Sequence, residues 1–105
     1  RRNSRTTECI PRLKALADQT RLQVLLHLLD APHTVGELVE RMGIEQSLLS
    51  HHLQVLRNVG LVEGVRDGRN VHYRPAKHTK QSTRKTGINL GCCTLDFGGQ
   101  EGNTA

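Results

Sequence analysis

Apolar positions recur at helical spacing through the first sixty residues and give way to short alternating runs after Gly60. Ile10 to Ala17 predicts a short helix with Pro11 in its first turn, where a missing N–H costs least, and with Leu13 and Leu16 on its apolar side. Asp18 is a good N-cap for a second helix reaching about Leu29, with Leu22, Leu25, Leu26 and Leu29 spaced as one buried face. Asp30-Ala31-Pro32-His33 breaks it. Thr34 and Glu37 have capping-box spacing and open a third helix through Leu38, Val39 and Met42, which Gly43 ends. Ile44 is expected to pack inward across a tight turn. Between Glu45 and Gly60 a fourth helix carries Leu48, Leu49, Leu53 and Leu56 on its apolar stripe, with Gly60 placed as a left-handed terminator.

Two strand-like runs follow, Leu61–Val65 and Val71–Arg74, on either side of Arg66-Asp67-Gly68-Arg69-Asn70. Asp-Gly between such runs signals a hairpin, and Pro75 ends its second strand. Ala76 to Gly87 is polar, with Lys77, Lys80, Arg84 and Lys85, whereas Ile88 to Phe97 is apolar again around Cys92-Cys93. The chain therefore divides into a basic lead-in at 1–9, a folded unit at 10–75, and a polar linker with a Cys-Cys segment at 76–105. The fold class expected is mainly α with a small β-hairpin: helix, tight turn, helix and basic hairpin, the order of a winged helix-turn-helix.

The polar side of the fourth helix changes the picture from fold to function. Ser47, Ser50, His51, Gln54 and Arg57 lie opposite the leucines, with hydrogen-bonding groups and a cation but no carboxylate. A helix that meets only solvent usually mixes in Asp and Glu. One that lies against phosphates and base edges has to exclude them, because each carboxylate repels the polyanion. Charge agrees: among 105 residues, 15 Lys and Arg outnumber 10 Asp and Glu, a net +5. With one Phe, one Tyr and no Trp the core rests on Leu and Val, and burial against a second copy would help it.

Several classes fall away. No apolar run approaches the roughly 20 residues of a membrane span. Arg1-Arg2-Asn3-Ser4-Arg5 is basic but has no apolar stretch behind it, so it is not read as a secretory signal, and a reducing cytoplasm is the expected compartment. No phosphate-binding glycine loop, metal-protease motif or nucleophile with an oriented base is visible, so no enzyme is expected.

The chain resembles the ArsR/SmtB family of bacterial metal- and thiol-responsive repressors. The resemblance is carried by Leu13–Leu22, Gln46–Leu53, Leu56–Val62 and Arg66–Arg74, and covers roughly Ile10 to Pro75. It implies a homodimeric repressor on a two-fold symmetric DNA operator, released by an inducer. Gln46, Ser47, Ser50 and His51 fall where the family faces bases and phosphates. Gln54 and Arg57 extend that face, and Arg66 and Arg69 are the wing contacts.

The inducer is sought among the cysteines. The third helix has no cysteine, and the histidine patterns of zinc-responsive relatives are missing. His27, His33, His72 and His78 have no spaced partner, and His51-His52 is assigned to the DNA-facing helix. Cys9, Cys92 and Cys93 remain as a metal site. Three thiolates suit trivalent arsenic or antimony as inducer, whereas zinc wants a fourth ligand, and no resident cofactor is required. A regular strand over Ile88–Phe97 would point Cys92 and Cys93 to opposite faces, and a turn at Gly91 would let both sulfurs face one way. The readings left open are a thiol-redox or persulfide-responsive repressor and a winged-helix adaptor for protein partners. An amphipathic dimerisation helix at 76–87, common among relatives, is not apparent.

Overall fold

The computed structural model describes residues 4–82 and 87–98. Arg1 to Asn3, Arg84, Lys85 and the tail from residue 99 lie outside them. The elements run α1 (Ser4–Leu16), α2 (Gln19–Asp30), β1 (His33–Thr34), α3 (Val35–Met42), α4 (Gln46–Asn58), β2 (Val62–Asp67), β3 (Asn70–Pro75), β4 (Lys80–Gln81), β5 (Gly87–Asn89) and β6 (Thr94–Asp96). Four helices followed by a hairpin make the expected winged helix-turn-helix.

Local signals set most boundaries. Asp18 Oδ1 accepts from the Arg21 backbone N–H at 3.0 Å, capping α2. Thr34 and Glu37 form the reciprocal capping box at the start of α3, with Thr34 N donating to Glu37 Oε1 and Glu37 N donating to Thr34 Oγ1. Gly43 and Gly60 take φ of +67° and +80°, so each ends its helix in the left-handed region as glycine permits.

Three expectations need correction. The first helix begins at Ser4 rather than Ile10, which puts Pro11 in its interior. Docking of the extra turn explains the override: Cys9 is buried among core residues that include Ile88 and Leu90, which offsets the cost of about 3 kcal/mol for an internal proline. In α2 the buried face is Val24, Leu25 and Leu28, while Leu26 is 46% exposed. In α4 Leu48 is 45% exposed, and His52 joins Leu49, Leu53 and Leu56 on the buried face. In both helices leucine composition misled the phase by a residue.

The sheets place the functional parts. β2 and β3 pair antiparallel from Val62–Pro75 to Asp67–Asn70, so the hairpin turns through Gly68-Arg69, with Gly68 at φ +66°. β1 adds a third strand through His33–Tyr73 and Thr34–His72, a pairing two residues long that no local pattern announces. The C-terminal segment is a second three-stranded antiparallel sheet in the order β4-β5-β6. Ile88 and Leu90 alternate inward from it and are fully buried in the main core. No described helix is long and apolar enough to cross a membrane.

Candidate nucleic-acid interface and thiol centre

Helix α4 buries one face and exposes the other. Leu49, Leu53 and Leu56 have no more than 1% exposure, while Gln46, Ser47, Ser50, His51, Gln54 and Arg57 are all exposed. Gln54 Nε2 donates to Asn58 Oδ1 at 2.9 Å, which orders the C-terminal part of this polar face. Arg57 in the last turn puts its cation at the favourable end of the helix dipole.

The wing adds charge at a distance from the helix. Arg74 is tied to Glu63, Nε to Oε2 at 2.6 Å. Arg66 and Arg69 are exposed, and among the described residues neither side chain has a hydrogen bond or ion pair. The two guanidiniums at the hairpin tip are therefore free to meet an anion.

His52, which the sequence assigns to the same helix as His51 without placing it on the polar face, is 7% exposed and lies on the buried side. Its Nδ1 receives Arg21 Nη1 at 3.1 Å, and Arg21 Nε donates to the Ala15 carbonyl at 2.7 Å. Burial pushes the His52 pKa down, and the neighbouring charges of Arg21 and His51 push the same way, against Asp18. Asp18 is itself held low, chiefly by the backbone N–H of Arg21 and, opposing its partial desolvation, by the Arg21 charge. Glu37 is also lowered, first by the Thr34 N–H it accepts. His33 is buried too, with Nδ1 donating to the Ala31 carbonyl at 2.6 Å. The structure brings its ring edge-on to His27, at 6.1 Å between centroids.

The three cysteines do converge. Gly91, at φ +91°, lets the chain turn between β5 and β6, with Leu90 N donating to Cys93 O at 2.8 Å across the loop. Gly91 N also donates to Asn89 Oδ1. This is the turn that sequence reading required, and it puts the Cys92 and Cys93 sulfurs on one side, against Cys9 of α1. All three sulfurs lie within 4.8 Å of one another. Cys9 and Cys92 are joined as a disulfide, with Cα atoms 5.7 Å apart, and Cys93 is the free thiol. Its sulfur is 2.8 Å from that of Cys9. Free thiols at all three positions, the sequence expectation, therefore require reduction of one bond. No other cluster of His, Cys, Asp or Glu among the described residues has metal-ligand spacing.

One residue that sequence reading passed over joins these parts. Arg12 of α1 donates through Nε to the Val59 carbonyl at 3.1 Å and through Nη1 to the Leu90 carbonyl at 2.9 Å. Neither acceptor leaves a signal in sequence, because both are main-chain atoms.

Comparison with known proteins agrees with this geometry. Residues 18–64 match the model of a family described as bacterial regulatory protein, arsR family. The chain is similar to the HTH-type transcriptional regulator NmtR of Mycobacterium tuberculosis, 51% identical over 61 residues, covering 58% of this chain and 51% of that protein. It is also similar to the structure of HlyU from Vibrio cholerae N16961, at TM-score 0.67 and 39% identity over 70% of this chain and 80% of that one. A third match is the homodimeric winged helix-turn-helix DNA-binding domain of Mb0332 from Mycobacterium bovis, a possible ArsR-family regulator. There the TM-score is 0.66 and the identity 33%, over 72% of this chain and 70% of that one. The chain spans about half the length of the curated relatives it matches.

Proposed function

Because the chain belongs to the arsR family of bacterial regulatory proteins, we propose that it is a transcriptional repressor that binds operator DNA as a homodimer and is released by a ligand at Cys9, Cys92 and Cys93. The convergence of three sulfurs within 4.8 Å from opposite ends of the fold carries this reading. The DNA-facing residues are Gln46, Ser47, Ser50, His51, Gln54 and Arg57 on α4 and Arg66 and Arg69 on the wing. Gln can pair with adenine through two hydrogen bonds, Ser and His serve bases or phosphates, and the wing arginines neutralise backbone charge.

A second copy has an apolar surface to cover. Ile10 and Leu13, one turn apart on α1, are 44% and 37% exposed. Leu26 and Phe97, 46% and 52% exposed, flank a groove of about 550 Å³ with Leu29 and Ile88. Exposed apolar side chains of this size suit burial against a second copy.

Arsenite or antimonite is the favoured inducer. With the Cys9–Cys92 bond reduced, the site offers three thiolates within 4.8 Å of one another, a set that matches a trivalent, pyramidal, thiophilic ion better than tetrahedral zinc. In a reducing cytoplasm that open form is the resting state. The disulfide itself favours a second reading, in which oxidation of Cys9 and Cys92 is the signal. Fluorescence anisotropy on a duplex from upstream of the protein's own gene separates them. Arsenite in the presence of reductant should release the reduced protein. If a disulfide-forming oxidant releases it and arsenite does not, the redox reading replaces the arsenite one. Absence of salt-dependent DNA binding under all conditions would leave the protein an adaptor.

A further inference from the structure

Arg12 follows Cys9 by one turn of α1, so both side chains share a face of that helix. Its guanidinium spans two backbone acceptors that are 47 and 78 residues away, Val59 O and Leu90 O. The first belongs to the C-cap of the DNA-facing helix α4, and the second opens the loop that carries Cys92 and Cys93.

Both acceptors sit in turns closed by backbone hydrogen bonds. At the end of α4, Gly60 N bonds to Arg57 O and Leu61 N bonds to Leu56 O, a closed Schellman arrangement. At the other end, Leu90 N bonds to Cys93 O and closes the loop that carries Cys92. The guanidinium lies close against each turn: a Cβ on Gly60 would stand 3.7 Å from Nη2, and one on Gly91 3.4 Å from Nη1. A planar fork holding two fixed carbonyls has little freedom to follow one of them alone.

We propose that Arg12 is the positioning residue that couples the state of the three sulfurs to the orientation of α4, and so to DNA affinity. The proposal rests on the reading of Cys9, Cys92 and Cys93 as the sensor. Reduction by dithiothreitol breaks the Cys9–Cys92 bond. The reductant supplies two electrons and two protons to the two sulfurs and closes to its own cyclic disulfide. Release of that bond frees the loop to shift relative to α1. Leu90 O then moves with respect to Arg12, and the Val59 bond either carries the end of α4 along or is lost. In the first case the exposed row Ser50, His51, Gln54 and Arg57 changes its angle to the rest of the domain, and in the second the end of α4 loses an anchor that holds that angle. Coupling of this kind is reciprocal, so DNA must shift the thiol equilibrium by as much as the thiols shift DNA binding.

The test uses wild type, Arg12→Gln and Arg12→Lys, each oxidised and dithiothreitol-reduced, on the duplex from upstream of the protein's own gene. Two quantities are read: the ratio of affinities in the two states, and the midpoint potential of the disulfide with and without DNA. Wild type should show a ratio of at least tenfold and a DNA-induced shift of about 30 mV for each tenfold. Arg12→Gln should bring the ratio close to one and abolish the potential shift, while still forming the disulfide. Arg12→Lys, with one ammonium for two distant carbonyls, should fall well below wild type, and it decides the matter if Arg12→Gln does not fold. Variants that bind DNA more weakly in both states but keep the wild-type ratio would overturn the proposal and reduce Arg12 to a structural contact. Equal affinity of the two states in wild type would also overturn it, and if arsenite is without effect as well, the thiol-sensor reading beneath it goes too.

Discussion

Arg21 Nη1 donates to Nδ1 of the buried His52 at 3.1 Å, joining α2 to α4. A guanidinium has donors only, so Nδ1 must be the acceptor and His52 is neutral with its proton on Nε2. The same Arg21 holds the Ala15 carbonyl and lies beside Asp18. One side chain thus ties the end of α1, the cap of α2 and the buried face of α4 together.

That arrangement makes stability depend on pH. Burial holds the His52 pKa below the ordinary imidazole value near 6.5. As pH falls through that value, the unfolded chain takes up the proton first. The stabilisation is therefore fully present above about pH 6.5 and is lost as pH drops toward the folded-state value. Urea midpoints at pH 7.5 and 5.5 should differ more for wild type than for His52→Leu. An identical pH difference in both proteins would contradict the assignment. Arg21→Met at pH 7.5, which leaves Nδ1 buried without its donor, should cost about 1–3 kcal/mol.

The exposed row of α4 and the wing should differ in how they fail. Ser50→Ala and His51→Ala remove groups that face outward, so thermal midpoints should stay near wild type while operator affinity falls, roughly tenfold or about 1.4 kcal/mol. Arg69→Ala should weaken operator and random DNA alike and lower the salt slope by about one. Anisotropy titrations at several salt concentrations on both duplexes read all three variants. A wild-type salt slope for Arg69→Ala would remove the wing from the contact.

Cys93 separates the two readings of the thiol centre. Cys93→Ser keeps the Cys9–Cys92 pair, so it should still cross-link on oxidation but lose most of its response to arsenite. Cys9→Ser should lose both, because Cys9 faces both other sulfurs. Non-reducing mass spectrometry after alkylation, run beside anisotropy, checks the pair. Full arsenite release of Cys93→Ser would show that two sulfurs are enough.

Leu13→Glu tests the apolar patch on α1. Leu13 is 37% exposed and is not one of the core residues, so the charge should leave the fold intact, shift sedimentation toward the monomer and weaken operator binding. A dimer of wild-type stability would move the interface elsewhere.

The elements legible in sequence were those whose cause is local. The Asp18 cap, the Thr34–Glu37 box, the terminating glycines 43 and 60 and the basic hairpin all appear as expected, because each depends on residues within a few positions. The polar face of α4 was legible for the same reason. The start of α1 was not, since an interior Pro11 is tolerated only through docking with a segment some eighty residues away. Burial of His52 depends on an arginine in another helix, and exposure of Leu48 on the exact phase of α4. Meeting of the cysteines is conditional on the turn at Gly91, and the sequence leaves thiol oxidation open without saying which two sulfurs pair. Arg12 bonds only to main-chain carbonyls and leaves no pattern to read.

The most direct measurement is operator binding by the Cys9→Ser, Cys92→Ser, Cys93→Ser triple variant beside wild type, each reduced and titrated with arsenite. Wild type should bind the upstream duplex and be released, while the triple variant binds with similar affinity and stays bound. Release of the triple variant by arsenite would contradict the thiol centre as the inducer site.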